Sequence, residues 1–305
     1  MTALLAARSL TKSFPIGGVL SRRETIAVDN VSFELGAAGA EIFTIIGESG
    51  SGKTTLSRMI LGLEQPSAGT LSFMGKPLGP MNRAERLAFM AKVQPVFQNP
   101  FEAFNPLKPV ERYLASTARR FLGLRHRRAI DAAMDEALQK VGLSLAEIRG
   151  RYPHEMSGGQ LQRAAIARAL IPNPALLIAD EPVSMVDASL RMAIVNLLRR
   201  LRDDFGVSVI YITHDLATAY YISDRLMIMQ KGRVVEMGPA RPILDAPEHP
   251  YSQLLKSAVL SVDMPRTEAA VPEAPPSVSS GVPPGELVES TFGRLVRRAV
   301  APHAS

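Results

Sequence analysis

The residues with the plainest chemistry are Gly47, Glu48, Ser49, Gly50, Ser51, Gly52, Lys53 and Thr54. They fit G-x-x-x-x-G-K-[ST], a loop that wraps phosphate groups. Its glycines let backbone N–H groups turn inward around an anion, and a helix starting at its end adds a positive dipole. Lys53 is expected to reach the β- and γ-phosphates of a nucleoside triphosphate, and the Thr54 hydroxyl to ligate Mg2+. The bland alternative is a glycine turn with a chance lysine, but the flanks suit the motif. Ile42 to Ile46 is an apolar run that reads as a buried strand, and Thr55 to Leu61 follows with helical spacing.

Other groups suit the same chemistry. Ala175 to Ala179 is apolar and ends in Asp180 and Glu181, the pattern of a buried parallel strand with carboxylates at its C-terminal end. Neighbours on a strand point oppositely, so one carboxylate can serve Mg2+ while the other faces a water; a plain helix cap is the alternative. Ser157, Gly158, Gly159 and Gln160 open a second helix and make a second anion cradle. His214 and Asp215 end the apolar run Val207–Ile212. Phe14 reads either as an aromatic that stacks on adenine or as a half-buried residue at a strand end. The remaining histidines, His126, His154, His249 and His303, lack metal-ligand spacing.

These groups need a scaffold. The 305 residues are 46% hydrophobic and include no cysteine, which excludes disulfides and thiolate–metal sites and points to a reducing compartment. No apolar run approaches the roughly 18–20 residues that span a bilayer, and Met1 to Leu10 does not read as a signal peptide. The net charge of +6 suits nucleic acid or an anionic membrane surface and decides between neither. Residues 4–35 read as a small antiparallel sheet broken by a polar loop. Asn99 to Pro106 is too rich in turn residues for a helix, while 110–122 and 127–141 show helical spacing. Arg119, Arg120, Arg125, His126, Arg127 and Arg128 form a basic cluster, either a solvated face or a contact to anionic lipid. Residues 225–237 read as a hairpin around Lys231 and Gly232. Val262 to Pro284 has the composition of a linker, and 286–300 reads as a short amphipathic helix, so the tail after Ser261 is expected to be dispensable for hydrolysis.

Taken in order, the phosphate loop, Gln98, Ser157-Gly158-Gly159-Gln160, Asp180-Glu181, Asp187 and His214 resemble the ATPase subunit of an ATP-binding-cassette transporter over roughly residues 4–240. The resemblance implies an α/β fold: a P-loop NTPase (RecA-like) core with an N-terminal antiparallel β subdomain, an inserted α-helical subdomain and a C-terminal extension. It places the ATPase domain at 1–245, with the helical subdomain at about 99–156, and the extension with its Pro-rich tail at 246–305. It implies a head-to-tail dimer with two ATP molecules between a phosphate loop and the partner's Ser-Gly-Gly-Gln. Thr55 joins the loop residues as nucleotide-binding. Glu181 resembles the general base and His214 the γ-phosphate switch. Gln98 resembles the sensor of Mg2+ and the attacking water, Asp187 the cross-dimer loop and Phe14 the adenine-stacking aromatic. Thr54, Gln98 and Asp180 are then the Mg2+ residues.

Val96-Phe97-Gln98-Asn99-Pro100 through Asn105-Pro106, Tyr152-Pro153-His154-Glu155 and Pro247-Glu248-His249-Pro250-Tyr251 resemble the oligopeptide/dipeptide/nickel importer group. Departures are Met156 where Leu is usual, Met185-Val186 before Asp187, and a tail without cysteines, which leaves no iron–sulfur cluster. The group implies an ATPase that energises import of a peptide-like solute or an oligosaccharide. Its partners are transmembrane permease subunits, a second ATPase (identical or paralogous) and, indirectly, a solute-binding protein, with no nucleic acid. It would sit peripherally on the cytoplasmic face of the plasma membrane. A nucleic-acid-associated ATPase or an exporter ATPase is the alternative. The stretch 99–106 is expected to wall the groove that receives the membrane subunit, with a charge at Phe101 or Phe104 uncoupling transport.

Overall fold

The structure, a computed structural model, describes residues 2–16, 23–36, 39–184, 186–262 and 285–299. The chain opens with strands β1 (Leu5–Ile16), β2 (Arg23–Leu35) and β3 (Ile42–Ile46), helix α1 (Lys53–Ile60), strands β4 (Ala68–Phe73) and β5 (Lys76–Pro77), helix α2 (Arg83–Lys92) and strand β6 (Val93–Val96). A helical block follows, with α3 (Val110–Leu122), α4 (Arg127–Lys140), α5 (Leu145–Ile148) and α6 (Gly158–Leu170). Next come β7 (Leu176–Asp180), α7 (Ala188–Phe205), β8 (Ser208–Thr213), α8 (Leu216–Ile222), β9 (Arg225–Gln230) and β10 (Arg233–Pro239). Helices α9 (Ala240–Asp245) and α10 (Pro250–Val262) and strands β11 (Gly285–Glu289) and β12 (Leu295–Ala299) end the described chain.

Two sheets result, in the orders β2-β1-β4-β5 and β11-β12-β10-β9-β3-β8-β7-β6. In the second sheet β6, β7, β8, β3 and β9 run parallel, and β10, β12 and β11 continue it antiparallel. The parallel strands are buried on both faces, which is why β3 and β8 read as unbroken apolar runs. One face packs with α1 against the four-stranded sheet, where Phe33 stacks on Phe43 at 5.3 Å. The opposite face packs against the helical block and α7. No described helix is long and apolar enough to cross a membrane.

Three sequence expectations are corrected. The helix expected over 286–300 is not found in its described part, 286–299: β11 and β12 make a hairpin, and β12 pairs with β10 through Glu236–Val296 and Met237–Leu295. The side chains that face inward are Arg294, just before β12, and Val296 within it, at 4% and 3% exposure, so the spacing is the two-residue one of extended chain, with an arginine on the buried side. The hairpin therefore belongs to the core sheet, which removes the compositional ground for expecting the tail to be dispensable for hydrolysis; the linker-like stretch itself, 263–284, lies outside the described residues. Phe104 is not a groove wall. It is 1% exposed, packs edge-on to Tyr113 at 5.4 Å, and lies under Arg168, whereas Phe101 is 49% exposed. The helix α2 has no counterpart in the sequence reading; its signal is a capping box between Asn82 and Glu85.

Candidate functional site

The phosphate loop leaves the C-terminal end of β3 and enters α1, as its motif requires. Gly52 caps α1 with φ 102°, and a Cβ there would meet the Ala27 carbonyl oxygen at 2.3 Å, so only glycine fits. No side chain caps α1 and no acid sits in its first turn, which leaves its N–H groups free for an anion. Lys53 is buried and donates to the carbonyl oxygens of Gly47 and Glu48 at 2.7 and 2.8 Å and to Ser51 Oγ at 3.3 Å. Burial pushes its pKa down, while Glu181, Asp180 and Glu48 pull it up.

Asp180 ends β7 at the same end of the sheet. Burial raises its pKa first and Glu181 adds to this, while Lys53 lowers it. The strand alternation expected for the two carboxylates is replaced by a turn. Glu181 has φ 46°, a left-handed conformation, and its N–H donates to the Ile212 carbonyl oxygen at 2.9 Å. The Glu181 carboxylate is held from two sides. Gln98 Nε2 donates to Oε2 at 3.2 Å, and His214 Nδ1 lies 3.1 Å from Oε1. With the carboxylate ionised it can only accept, so the imidazole donates there.

A cavity of about 790 Å3 is lined by Phe14, Gly47, Ser49, Gly50, Gly52, Lys53, Thr54, Thr55, Gln98, Glu181 and His214, with Ala27. Eleven of the expected site residues thus share one cavity wall. Phe14 is 37% exposed there, with Lys12 Nζ 5.0 Å from its ring. Glu48, Ser51 and Asp180 are not among the lining residues, although the Glu48 carbonyl oxygen and Ser51 Oγ accept from Lys53. Ser157, Gly158, Gly159, Gln160 and Asp187 do not line it. Ser157 caps α6, its Oγ accepting the Gln160 N–H at 3.2 Å while Gln160 Oε1 accepts the Ser157 N–H at 3.1 Å. Asp187 precedes α7 without a side-chain cap bond and is exposed. Of the basic cluster, Arg119, Arg125 and Arg127 line a second cavity of about 600 Å3 in the helical block with Lys108, Arg112 and Arg149, beside the acids Glu111 and Asp131, whereas Arg120, His126 and Arg128 do not line it.

Mg2+ is a hard cation that takes one or two carboxylates, waters and substrate phosphates. Among the described residues no group of three or more His, Cys, Asp or Glu could hold a metal. Thr54 and Gln98 line the cavity and carry oxygen donors, and the partly buried Asp180 ends β7 next to Glu181, a donor set of the hard-oxygen kind Mg2+ takes.

Two linkages went unread in the sequence. Gln162 of α6 is fully buried, and its Nε2 donates to the carbonyl oxygens of Pro182 at 3.0 Å and Phe97 at 3.4 Å. It ties the helix behind Ser157 to the neighbours of both Glu181 and Gln98. Arg191 of α7 donates to Asp215 at 3.1 Å, joining the Asp187 turn to the residue after His214. Only the (i, i+5) spacing of Gln162 from Ser157 marks the first, and long-range pairs like the second have no local signal.

Known proteins share this design. The family described as ABC transporter matches residues 28–184, and the one described as oligopeptide/dipeptide transporter, C-terminal region, matches residues 235–283. A probable peptide ABC transporter ATP-binding protein of Sinorhizobium fredii is 39% identical over 88% of this chain and 76% of its own length. The glutathione import ATP-binding protein GsiA of Escherichia coli is 40% identical over 84% of this chain, which spans 41% of that longer protein. The dimeric ATP-binding cassette MJ0796 bound to ADP and Pi superposes with a TM-score of 0.68 at 26% identity, over 78% of this chain and 99% of its own. With the phosphate loop, the paired carboxylates and both family matches in register, the chain belongs to the ABC transporter family as an ATP-binding, ATP-hydrolysing subunit with the P-loop NTPase fold.

Proposed function

We propose that this ATPase energises solute import, peptide-like or oligosaccharide, through separate transmembrane subunits. It would act as one of two ATPases in a head-to-tail dimer, peripherally on the cytoplasmic face of the membrane, served indirectly by a solute-binding protein. The C-terminal family match and the names of its relatives support import, and the dimeric cassette supports the pairing. Residues 1–245 would form the ATPase domain, with the helical subdomain at about 99–156, and 246–305 the extension.

The observation that carries the mechanism is the Glu181 carboxylate, bridged by Gln98 and His214 across the cavity from Lys53. In this reading Phe14 stacks on adenine, the loop N–H groups with Lys53 and Thr55 cradle the phosphates, and the partner's Ser157-to-Gln160 turn and Asp187 close the site. Thr54, Asp180 and Gln98 would hold Mg2+, which when bound neutralises charge on the β- and γ-phosphates. Water attacks the γ-phosphorus in line while Glu181 takes its proton. The bond to the bridging oxygen breaks, and ADP and phosphate leave. His214 senses the γ-phosphate and orients Glu181. The Lys53 amine, its charge disfavoured by burial, gains an anion in place of two carbonyl oxygens.

Glu181→Gln tests this. The change keeps shape and removes the proton acceptor, so single-turnover hydrolysis should fall about 10²–10⁴-fold while ATP binding persists and a closed dimer accumulates in sedimentation. Hydrolysis near the wild-type rate would refute the assignment, and loss of ATP binding would make Glu181 structural.

A further inference from the structure

The C-terminal extension touches the phosphate loop. The backbone N–H of Glu48 donates to Tyr251 Oη at 3.0 Å, across 203 residues of sequence. That N–H belongs to the same peptide group as the Gly47 carbonyl, which accepts Lys53 Nζ at 2.7 Å. In a planar trans peptide the two groups point in opposite directions. The first peptide of the loop is therefore held from both sides, by Lys53 within and by Tyr251 behind. Gly47 itself is hemmed in, since a Cβ there would meet the Met229 carbonyl oxygen at 2.3 Å.

Tyr251 is placed by the core and not by the loop. It is 5% exposed, in a cluster with Ile46, Ile228, Val235 and Ile243. The backbone leading to it is also fixed. The fully buried carboxylate of Glu236 accepts the N–H groups of Glu248 and His249 at 3.2 and 3.3 Å, and His249 Nδ1 accepts the Tyr251 N–H at 3.1 Å. Arg294, just before β12, lies 3.7 Å from Glu236 and 3.4 Å from Glu248. A continuous set of polar contacts thus runs from the hairpin to the loop.

We propose that Tyr251 is a positioning residue of the phosphate loop, through which the C-terminal extension sets the affinity of the site for nucleotide. The proposal rests on the reading of the loop as the ATP site. When Lys53 leaves the Gly47 carbonyl for a phosphate, that peptide loses its inner hold, and Tyr251 becomes the contact that keeps it from turning. The effect falls on binding and not on the chemical step, because Tyr251 meets the site only at the Gly47–Glu48 peptide, does not itself line the cavity and makes no hydrogen bond to Glu181.

The test is Tyr251→Phe in the full chain, which keeps the ring in its cluster and removes one hydroxyl. The Kd for ATP with Mg2+ and the KM of hydrolysis should both rise about fivefold, the order of one neutral hydrogen bond, with kcat unchanged within about twofold. The Glu48 amide should lose protection in hydrogen exchange relative to the wild-type chain. Wild-type Kd in a folded Tyr251→Phe protein overturns the proposal. So does a raised Kd with an unchanged Glu48 amide, or a lost kcat at unchanged KM. Lys53→Ala separates the underlying reading: if it binds ATP as the wild type does, the loop assignment itself is wrong. If it does not, a silent Tyr251→Phe sinks the positioning role alone.

Discussion

Replacing Arg294 by Met should destabilise the whole ATPase, although the residue lies far along the chain from the phosphate loop. Its guanidinium donates to the carbonyl oxygens of Ala246 and Pro242, each at 2.7 Å, and faces Glu236, which is 0% exposed. Methionine fills much of the same volume, so the loss is mainly electrostatic: a buried carboxylate without its cation and two carbonyls without a donor. Breaking one partner out of a buried pair costs about 3–5 kcal/mol. At about 2–4 °C per kcal/mol for a domain of this size, the melting temperature should fall by about 6–20 °C. Differential scanning calorimetry of the nucleotide-free chain measures it. Adding Glu236→Gln to Arg294→Met removes the stranded charge and should recover a substantial part of the loss, since removing both partners is far milder than removing one. A melting temperature within about 2 °C of wild type for the single variant would refute the reasoning and return the hairpin to the status of a loose tail.

Asp180→Asn should raise the melting temperature of the nucleotide-free protein by a few degrees while abolishing Mg2+-dependent hydrolysis, because burial and Glu181 hold the carboxyl pKa above its ordinary 3.8 and so penalise the charge at neutral pH; a lowered melting temperature would contradict it. His249 gives a pH dependence. Burial, then Arg297, lowers its pKa below 6.5, so its contribution to stability is whole above 6.5 and is lost as pH falls through the lowered folded value; His249→Asn should flatten that part of a melting curve series taken from about pH 7.5 to 5. Phe104→Asp should unfold the helical block, whereas Phe101→Asp should leave melting and ATP binding near wild type and reduce transport in the assembled system; intact folding of Phe104→Asp would overturn its core assignment.

The site was legible to the extent that its chemistry is local. Gly47 to Thr54 must turn around an anion in eight residues, and Asp180-Glu181 must follow a strand buried on both faces, so motif and periodicity carry the position. The Glu181 conformation was not legible: a strand reading gives alternation, and the left-handed turn at φ 46° follows from pairing with Ile212 on β8. The helix over 286–300 failed because the buried side chains of this stretch begin with Arg294, just before β12, which any polarity pattern counts as solvent-facing until Glu236 is seen opposite it. Phe101 and Phe104 are alike in sequence, and only the packing of Tyr113 separates them. Contacts such as Glu48 with Tyr251 are set by the tertiary fold and have no periodic trace.

The hairpin also decides how the molecule behaves toward its own copies when crowded. An outermost strand offers unpaired N–H and C=O groups as a template for strand addition. By covering β10, the hairpin moves that boundary to β11, five residues long with Glu286 and Glu289 exposed, where two copies would repel each other. At the opposite boundary β6 has four residues, and Pro95 lacks an N–H. A chain cut before Gly285 would uncover β10, a longer and largely apolar strand, and should be prone to aggregate sheet to sheet even where it still folds.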